Sequence, residues 1–371
     1  MNGSYVRRLR HVIIGIGAGV LGMHRPAWQL ETVELVAGSD IDAEAGRRNA
    51  DEVGCAFYTD HRAMLAETRP DVAVILAPHP FHASLAIDCL EAGCHVLVEK
   101  PMAVQVAEAD AMIETAQRVG RLLAVNFQQR HRPEIQAARR LIQEGHLGKI
   151  QHLDMTAMWT RTAAYYRSGG WRATWAGEGG GVLLNQAPHD LDLICYLLGM
   201  PKKVFAWTRT LLHPIETEDT VQAMLEWPNG AIGSVHASTA EAGIPQRLEI
   251  TGTGGSIQIA HGAITCLRAE VDLCDFVVQC PERFAQPRLV PQPVELPPGS
   301  GDHVAVYRNF HDAILHGAPL VADGVEGRMS LELANAMIYS SYTRSEVELP
   351  LDRQKYAALF EALKAHRQPT N

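Results

Sequence analysis

Apolar and polar positions alternate in blocks along the first third of the chain. Short apolar runs rich in β-branched residues recur at residues 11–16, 33–38, 71–77, 95–98 and 121–126. Helical segments at residues 81–92 and 105–118 stand between the later runs. Continuous apolar runs bounded by turn residues are typical of strands buried on both faces. The alternation therefore predicts an α/β fold with a parallel, doubly wound sheet.

The pattern changes after residue 128, which predicts a first domain at residues 1–128 and a second at residues 129–371. A helix is expected at residues 133–144 and a long strand at 149–158, followed by strands at 204–212, 220–226, 231–238 and 247–251. The proline-rich stretch 274–300 is expected to be irregular, and helices are expected at 303–316 and 325–343. A chain of 371 residues is too long for one small core, which agrees with two domains.

A glycine pattern follows the first predicted strand. Gly17, Gly19 and Gly22 form G-x-G-x-x-G, and Asp40 closes the second strand 23 residues after Gly17. Glycines in this place let the backbone approach a pyrophosphate, and the acidic residue meets the ribose hydroxyls of the adenosine. The spacing therefore predicts dinucleotide binding.

The residues around this motif qualify the prediction. Asp40 favours NAD over NADP because a carboxylate repels a 2′-phosphate. Arg47 and Arg48 leave a minor route to NADP. The triplet Gly15-Ile-Gly17 offers a second register for the turn, and Pro26 falls where the next helix should run.

Three strand ends carry candidate site residues, since ligands of such sheets bind beyond the carboxyl ends of the strands. They are Ala77-Pro78-His79, Glu99-Lys100-Pro101 and Asn126-Phe-Gln128. A lysine in such a cleft can hold a substrate hydroxyl and favour its alkoxide, which makes Lys100 a catalytic candidate. His79 and His82 either contact the nicotinamide side or only cap the helix at 81–92.

A second catalytic candidate is the stretch 179–192, which opens with three glycines. Asn185, His189 and Asp192 fall at i, i+4 and i+7, on one face of a single predicted helix. An amide, an imidazole and a carboxylate on one face suit proton transfer or the binding of hydroxyl groups. The alternative is an N-cap asparagine, a first-turn proline and a surface carboxylate. The glycines are expected to give a substrate room to approach.

The loop just before the glycines is rich in aromatic and arginine residues. Tyr165, Trp171 and Arg172 are candidate substrate contacts, because sugar sites use aromatic faces and bidentate donors. Packing on the edge of the domain is the other interpretation.

Composition excludes several classes of function. The net charge of −9 argues against nucleic acid, and no apolar run reaches the length of a membrane span. The seven cysteines are scattered without a Cys-x-x-Cys pair, which favours reduced thiols in the cytoplasm over disulfides or a zinc site. Metal is not expected. The glycines within residues 12–23 also disfavour a signal peptide.

The motifs together resemble the Gfo/Idh/MocA family of NAD(P)-dependent sugar and polyol oxidoreductases. The resemblance runs from Val12 to about Leu351 and is carried by Glu99-Lys100-Pro101, Gly179–Asp192 and Glu326-Gly-Arg-Met. It implies an N-terminal Rossmann domain and a C-terminal α/β domain with a large, mostly antiparallel, open-faced sheet. Through that sheet it implies a homodimer or homotetramer.

The resemblance also implies roles for individual residues. Lys100 corresponds to the active-site lysine and His189 to the acid/base histidine, while Asn185 stands where many members have aspartate. The expected cofactor contacts are Gly17, Gly19, Gly22, Asp40, Ala77, Pro78, His79, His82, Glu99, Lys100 and Gln128. The expected substrate contacts are Arg130, Tyr165, Trp171, Arg172, Asn185, His189 and Asp192. The short segment from Gly22 to His24, and His79 in place of asparagine, depart from the family pattern.

The sequence thus predicts an NAD-dependent oxidoreductase that acts on a sugar or cyclic polyol. Two alternatives remain open. One is an NAD-dependent redox-type glycosidase, and the other is a sugar-sensing regulator that kept the fold and lost the chemistry.

Overall fold

The computed structural model describes residues 7–243 and 246–365. The chain forms two compact units. The first contains residues 7–128, Gly177–Gly179 and Gly301–Leu331. The second contains Gln129–Ala176, residues 180–243 and 246–300, and residues 332–365.

The first unit is built on a six-stranded parallel sheet. Its strands are β1 (Leu9–Ile14), β2 (Val33–Ser39), β3 (Ala56–Tyr58), β4 (Val72–Ile75), β5 (His95–Val98) and β6 (Leu123–Val125). Their order is β3-β2-β1-β4-β5-β6, so the chain starts in the middle of the sheet and winds outward to both sides. All four residues of β4 are buried, as a strand covered on both faces requires. The predicted doubly wound sheet is confirmed, with β3 as an additional strand.

The second unit is built on a nine-stranded sheet in the order β14-β13-β12-β11-β7-β10-β9-β8-β15. The strands are β7 (Ile150–Met158), β8 (Lys203–Arg209), β9 (Thr220–Glu226), β10 (Ile232–Ser238), β11 (Arg247–Gly252), β12 (Gly255–Ala260), β13 (Ala263–Ala269), β14 (Leu289–Gln292) and β15 (Val347–Glu348). Among the described strands of this sheet, only β7 and β10 pair in parallel. Buried and more exposed residues alternate along β12, which is typical of a sheet with one packed face. The predicted large, mostly antiparallel sheet is confirmed.

The helices predicted at residues 81–92, 105–118, 133–144, 303–316 and 325–343 are all present, and further helices accompany them. They are α1 (Leu21–His24), α2 (Ala43–Val53), α3 (His61–Thr68), α4 (His82–Glu91), α5 (Val106–Val119), α6 (Pro133–Gln143), α7 (Ala163–Arg167), α8 (Val182–Asn185), α9 (Pro188–Leu198), α10 (Leu273–Gln279), α11 (His303–His316), α12 (Gly324–Thr343) and α13 (Arg353–Ala365). The stretch 274–300, expected to be irregular, contains most of α10 and all of β14. The stretch 179–192 contains two helices rather than one. No helix in the described ranges has the length and apolarity needed to cross a membrane.

Helix α11 belongs to the first unit although it follows most of the second in sequence. Its apolar residues Val306, Tyr307 and Phe310 are buried in the same hydrophobic cluster as Leu9 and Ile13 of β1. The units therefore depart from the predicted division into residues 1–128 and 129–371. A boundary drawn by sequence order cannot show that a late helix packs on the first sheet.

Candidate active site

The glycine turn after β1 uses the earlier of the two possible registers. Gly15 has φ of +88°, and a Cβ there would lie 2.8 Å from the backbone nitrogen of Ala77. Gly17 donates its backbone N–H to Asp40 Oδ2 at 2.7 Å. Only glycine combines a positive φ with such a close approach of two backbones. The tight turn is therefore Gly15-Ile16-Gly17, which places it directly against the end of β4.

Gly19 and Gly22 do not have this tight packing. A Cβ on either would meet no atom within 4 Å. The helix that begins at Leu21 has only four residues and continues as a 3₁₀ helix at Arg25–Gln29, with Pro26 at its start. The helix expected after the glycine turn is therefore short, because Pro26 prevents a regular helix here.

Asp40 joins the glycine turn to the start of α2. Its Oδ2 accepts from Gly17 N and its Oδ1 accepts from Asp42 N at 2.9 Å. The side chain remains partly exposed. Arg47, a possible contact for a 2′-phosphate, has its guanidinium over the ring of Phe57, 5.4 Å from the ring centroid. The carboxylate is thus held in a fixed orientation with lone pairs left for hydroxyl groups.

His82 faces the protein and not a ligand. Its Nδ1 lies 2.8 Å from the carbonyl oxygen of Pro101, and its Nε2 lies 2.6 Å from that of Ala77. Burial lowers the pKa of the ring, although the two carbonyl groups oppose this effect. The predicted cofactor contact of His82 is therefore replaced by a role in joining two strand ends. His79 is also buried, with its Nδ1 at 3.3 Å from the carbonyl oxygen of Glu178.

Glu99 lies at the end of β5, directly before Lys100, and its carboxylate is occupied by protein donors. Its Oε1 accepts from His24 Nε2 at 3.0 Å and from the side-chain amide of Asn126, and His303 Nε2 lies 3.7 Å away. Its Oε2 accepts from Lys100 N at 3.3 Å. Burial alone would raise the pKa of Glu99, but these donors hold it well below its usual range. The Glu99 carboxylate therefore supports the strand end, and the cofactor contact predicted for this residue stays a prediction.

His24, Glu99 and His303 also bring three potential metal ligands within 4.8 Å of one another. Two imidazoles and one carboxylate are a known ligand set for transition metals. The 3.0 Å from His24 Nε2 to Glu99 Oε1 is the distance of a hydrogen bond.

Gln128, in the segment after β6, presents a buried amide oxygen. Within the described ranges, its Oε1 has no hydrogen-bond partner. A buried acceptor of this kind normally finds a donor in protein, water or ligand. It is therefore suited to accept from an amide N–H of a bound molecule.

In the second unit, Asn185 and His189 lie on separate helices. Asn185 ends α8, and His189 is the second residue of α9, which begins at Pro188. The predicted single helix face from Asn185 through His189 to Asp192 is therefore wrong. Pro188 starts a new helix because it has no N–H to continue the previous one. Both candidate side chains remain partly exposed.

The glycines before α8 pack against protein. A Cβ on Gly179 would lie 2.2 Å from Val104 Cγ1, and a Cβ on Gly181 would lie 1.8 Å from the carbonyl oxygen of Glu218. Glu218 Oε1 also accepts from the backbone N–H groups of Gly181 and Leu183, at 2.9 and 3.0 Å. The glycines allow this packing, so the expected room for a substrate is not their purpose. Glu218 fixes the start of the helix that carries Asn185.

Arg130 and Asp192 were expected to contact substrate, but they bind each other. Arg130 Nε donates to Asp192 Oδ2 at 2.9 Å and Nη2 donates to Oδ1 at 2.7 Å. Each side chain is only 1% exposed. The guanidinium also lies over the ring of Tyr196, 4.6 Å from its centroid. The pair is an internal brace of α9, and neither residue is accessible for the predicted substrate contact.

Tyr165, Trp171 and Arg172 form one cluster, as the loop pattern suggested. Arg172 Nη1 donates to the hydroxyl oxygen of Tyr165 at 3.0 Å, and its guanidinium lies over the Tyr165 and Trp171 rings. Gln186 Nε2 donates to the same hydroxyl at 2.9 Å. All four side chains are partly exposed. Gln186 links this cluster to the helix end that carries Asn185.

Five residues that support the site are absent from the predicted contacts: Gly15, His24, His303, Glu218 and Gln186. Gly15 and His24 do stand in local patterns, which are the alternative glycine turn and the short segment that follows it. Gln186 stands beside Asn185. His303 and Glu218 lie far in sequence from the residues they support, and no local pattern marks them.

Two family models match the chain. One is described as "Oxidoreductase family, NAD-binding Rossmann fold" and matches residues 9–127. The other is described as "GFO/IDH/MocA C-terminal domain" and matches residues 135–258. Together they cover more than half of the chain, with one model in each predicted domain.

Two curated relatives show the range of similar proteins. The D-glucoside 3-dehydrogenase of Escherichia coli (strain K12) is 35% identical over 199 residues, which are 52% of this chain and 55% of that protein. The scyllo-inositol 2-dehydrogenase (NAD(+)) of Bacillus subtilis (strain 168) is 26% identical over 356 residues, 91% of this chain and 96% of that protein. The match spans 57% and 65% of two further relatives, so several relatives are matched over less than two thirds of their length.

A solved structure covers nearly all of the chain. The WlbA dehydrogenase from Bordetella pertussis, in complex with NADH and UDP-GlcNAcA, superimposes with a TM-score of 0.80 at 28% identity. The alignment covers 93% of this chain and 100% of that one. The fold described above is therefore shared with an NADH-binding dehydrogenase.

Proposed function

The chain belongs to the Gfo/Idh/MocA family of NAD-binding oxidoreductases, and on that premise we propose that it is an NAD-dependent dehydrogenase. It transfers hydride between a carbinol carbon of a sugar or cyclic polyol and nicotinamide. The relatives named for a D-glucoside and for scyllo-inositol support this substrate class. The observation that carries the proposal is Lys100, fixed at a strand end of the NAD-binding unit.

The first unit fits the cofactor. Gly15 and Gly17 form a turn too close for a side chain, and Asp40 is held with its carboxylate partly exposed. Asp40 would hold the ribose hydroxyls and disfavour a 2′-phosphate, and the buried Oε1 of Gln128 would accept from the carboxamide. Ala77 and Pro78 are partly exposed beside the glycine turn and remain proposed contacts. When bound, NAD supplies the hydride acceptor.

Lys100 carries the electrostatic part of the proposed chemistry. Its backbone N–H is held by Glu99, so the side chain starts from a fixed point at the end of β5. Its ammonium group donates to the substrate oxygen and stabilises the negative charge that develops there. Such preorganised donors usually supply a large share of catalysis.

His189 carries the proton in the proposed mechanism. It lies in the first turn of α9, which is braced by the buried pair of Asp192 and Arg130. A histidine titrates near neutral pH and can act as general base in oxidation and general acid in reduction. Asn185 has no proton to exchange and orients the substrate hydroxyl.

The cluster of Tyr165, Trp171, Arg172 and Gln186 supports a polyhydroxylated substrate. It combines partly exposed aromatic rings with guanidinium and amide donors. Apolar ring faces and fixed polar groups are the usual means by which a pocket orients such ligands. We assign substrate orientation to this cluster.

The open face of the second sheet supports assembly into a homodimer or homotetramer. Phe205 and Trp207 of β8 lie in register beside Met224 and Gln222 of β9, and Trp207 and Met224 are 48% and 47% exposed. A contiguous exposed apolar patch usually marks an interface. Sedimentation of Trp207→Glu should show a smaller species than wild type, and an unchanged sedimentation coefficient would contradict this assembly.

A cytoplasmic location is part of the proposal. All seven cysteines are free thiols, and burial raises the pKa of the Cys94 thiol to about 12. Unpaired cysteines in this number are typical of a reducing compartment. Fractionation of the native host tests the location, and recovery outside the cytoplasm would contradict it.

The function is tested by a screen of polyols, pyranoses and glycosides with NAD and with NADP. We expect substrate-dependent formation of NADH. Release of free sugar from a glycoside without net NADH would favour a redox-type glycosidase instead. NAD binding without turnover of any compound would favour a regulator.

A further inference from the structure

The loop that precedes β9 is anchored on one buried carboxylate. Asp219 is fully buried and accepts the backbone N–H groups of Leu211, Leu212 and His213 at 2.8, 3.0 and 3.1 Å. The hydroxyl of Thr220 also donates to it, at 3.0 Å. Because these donors occupy both carboxylate oxygens, the loop that carries His213 is fixed in place.

The ring of His213 joins this anchor to the segment that leads to Tyr165. Its Nδ1 lies 3.1 Å from Asp219 Oδ2, and its Nε2 lies 2.9 Å from the carbonyl oxygen of Arg161. Both neighbours are acceptors, so the ring makes both bonds when each nitrogen carries a proton. His213 is only 8% exposed. The ring therefore serves protein contacts and lies too deep to bind a ligand.

Arg161 and Tyr166 connect His213 to Tyr165. The Arg161 guanidinium lies over the Tyr165 ring, 5.2 Å from its centroid. The Tyr166 ring packs on His213 with centroids 4.7 Å apart, and it meets the Tyr165 ring edge to face at 5.2 Å. Two short paths of direct contact thus lead from the buried histidine to Tyr165.

The end of β10 holds the other side of this segment. The backbone N–H of Arg161 donates to the carbonyl oxygen of Thr239 at 3.0 Å, and the hydroxyls of Tyr166 and Thr239 lie 2.7 Å apart. Residues 159–162 belong to no helix or strand. Their position consequently depends on individual bonds, of which the one from His213 is made by a side chain far away in sequence.

We propose that His213 is a positioning residue for the substrate: anchored on Asp219, it holds Arg161 and Tyr166 and thereby sets the position of Tyr165. This rests on the substrate-orienting role proposed above for Tyr165 and the residues that it contacts. His213 does not touch the substrate and acts through its neighbours. Its loss should weaken substrate binding more than it slows the chemical step, because orienting contacts act in the ground state and in the transition state alike.

Two substitutions separate the two bonds of the ring. His213→Asn keeps a donor near Asp219 and is too short to reach the Arg161 carbonyl group. His213→Gln is one methylene longer, so its amide can occupy the place of Nε2 and keep the bond to Arg161. His61→Asn is the control, because His61 also pairs with an aspartate, Asp88 at 2.8 Å, in the first unit.

Hydrogen–deuterium exchange of the full-length proteins without substrate follows the segment directly. Peptides that cover residues 159–166 should exchange about 5-fold faster or more in His213→Asn than in wild type. In His213→Gln and His61→Asn they should exchange like wild type. Unchanged exchange in His213→Asn, or an equal increase in His213→Gln, overturns the proposal. If His213→Asn does not fold, His213→Ser takes its place, and failure of both to fold would make His213 a residue of folding and overturn the positioning role.

Kinetics with the best compound of the substrate screen add a readout that a purely structural role would not move. In His213→Asn the KM for the sugar or polyol should rise about 10-fold, as expected for one lost hydrogen bond. The kcat and the KM for NAD should stay within about 2-fold of wild type, and His213→Gln should recover most of the loss. A lower kcat alone, or an equal rise of both KM values, overturns the proposal. The exchange measurement needs no turnover, so a failure of the proposed dehydrogenase activity is seen separately in the screen.

Discussion

Arg130 and Asp192 form a bidentate ion pair in which each side chain is 1% exposed. Asp192 lies one turn from His189 on α9, and its ion pair with Arg130 holds this helix from within the core. Removing one partner of a buried pair leaves an uncompensated charge.

Asp192→Leu should therefore lower the free energy of unfolding by about 3–5 kcal/mol. Chemical denaturation measures this change. The double variant Arg130→Met/Asp192→Leu should recover a large part of the loss, because no buried charge remains. An exposed ion pair contributes up to about 1 kcal/mol. A loss smaller than this in the single variant would contradict an internal role for the pair.

The position of the tight glycine turn predicts different effects of two glycine substitutions on cofactor binding. Gly15→Ala should weaken NAD binding by about 10-fold or more, since a Cβ would meet the Ala77 backbone and the positive φ is strained. Gly22→Ala should bind NAD within about 2-fold of wild type, because its Cβ would enter open space. Titration of protein fluorescence with NAD compares the two. If Gly22→Ala weakened NAD binding more than Gly15→Ala, the cofactor turn would instead be the one formed by Gly17, Gly19 and Gly22.

Asp40 should control the choice between NAD and NADP. In Asp40→Asn the preference for NAD, measured as the ratio of kcat/KM values, should fall by about 10-fold or more because the repulsion of the 2′-phosphate is lost. Asp42→Asn is the control, since Asp42 caps α2 through Glu44 N and Ala45 N. The control should alter stability more than selectivity. An unchanged ratio in Asp40→Asn would place the selectivity elsewhere.

The buried histidines are expected to lower the free energy of unfolding at acidic pH. Burial lowers the pKa of His11 to about 4 and of His311 to about 3, against 6.5 in the unfolded chain. The unfolded state therefore binds more protons between those values, and the free energy of unfolding decreases as the pH falls below about 6.5. One histidine shifted from 6.5 to 4 accounts for roughly 2 kcal/mol between pH 7 and pH 5.

This pH effect can be assigned with a variant. His311→Gln should show a smaller difference in unfolding free energy between pH 7 and pH 5 than wild type. Glu99 contributes in a lower window, because its folded pKa lies below 4.5, so measurements above pH 5 separate the two effects. A wild-type protein equally stable at pH 7 and pH 5 would contradict neutral buried histidines.

Much of the fold was predictable because its signals are local. The apolar runs of β1, β2, β4, β5 and β6 and the glycine ends of the helices lie within short windows of sequence. The same holds for Lys100, which follows a strand directly. Contacts between distant segments have no such signal. The periodicity of α11 predicts a helix but not that it packs on β1, so the link between His303 and Glu99 was missed.

The errors at the candidate site have a similar cause. Spacing placed Asn185 and His189 on one helix, although Pro188 begins a second one. Arg130 and Asp192 are polar residues near a candidate base, and sequence could not show that each satisfies the other inside the core. Their burial decides the question, and burial depends on the complete tertiary structure.

The central claim is hydride transfer from a carbinol carbon, with Lys100 acting on the oxygen. The most direct measurement is turnover of the best sugar or polyol, deuterated at the reacting carbon, with NAD in wild type and Lys100→Met. We predict deuterated NADH from wild type, a kcat lower by at least about 100-fold in the variant, and similar NAD affinity in both. Wild-type turnover in Lys100→Met, or NADH without deuterium, would contradict the claim.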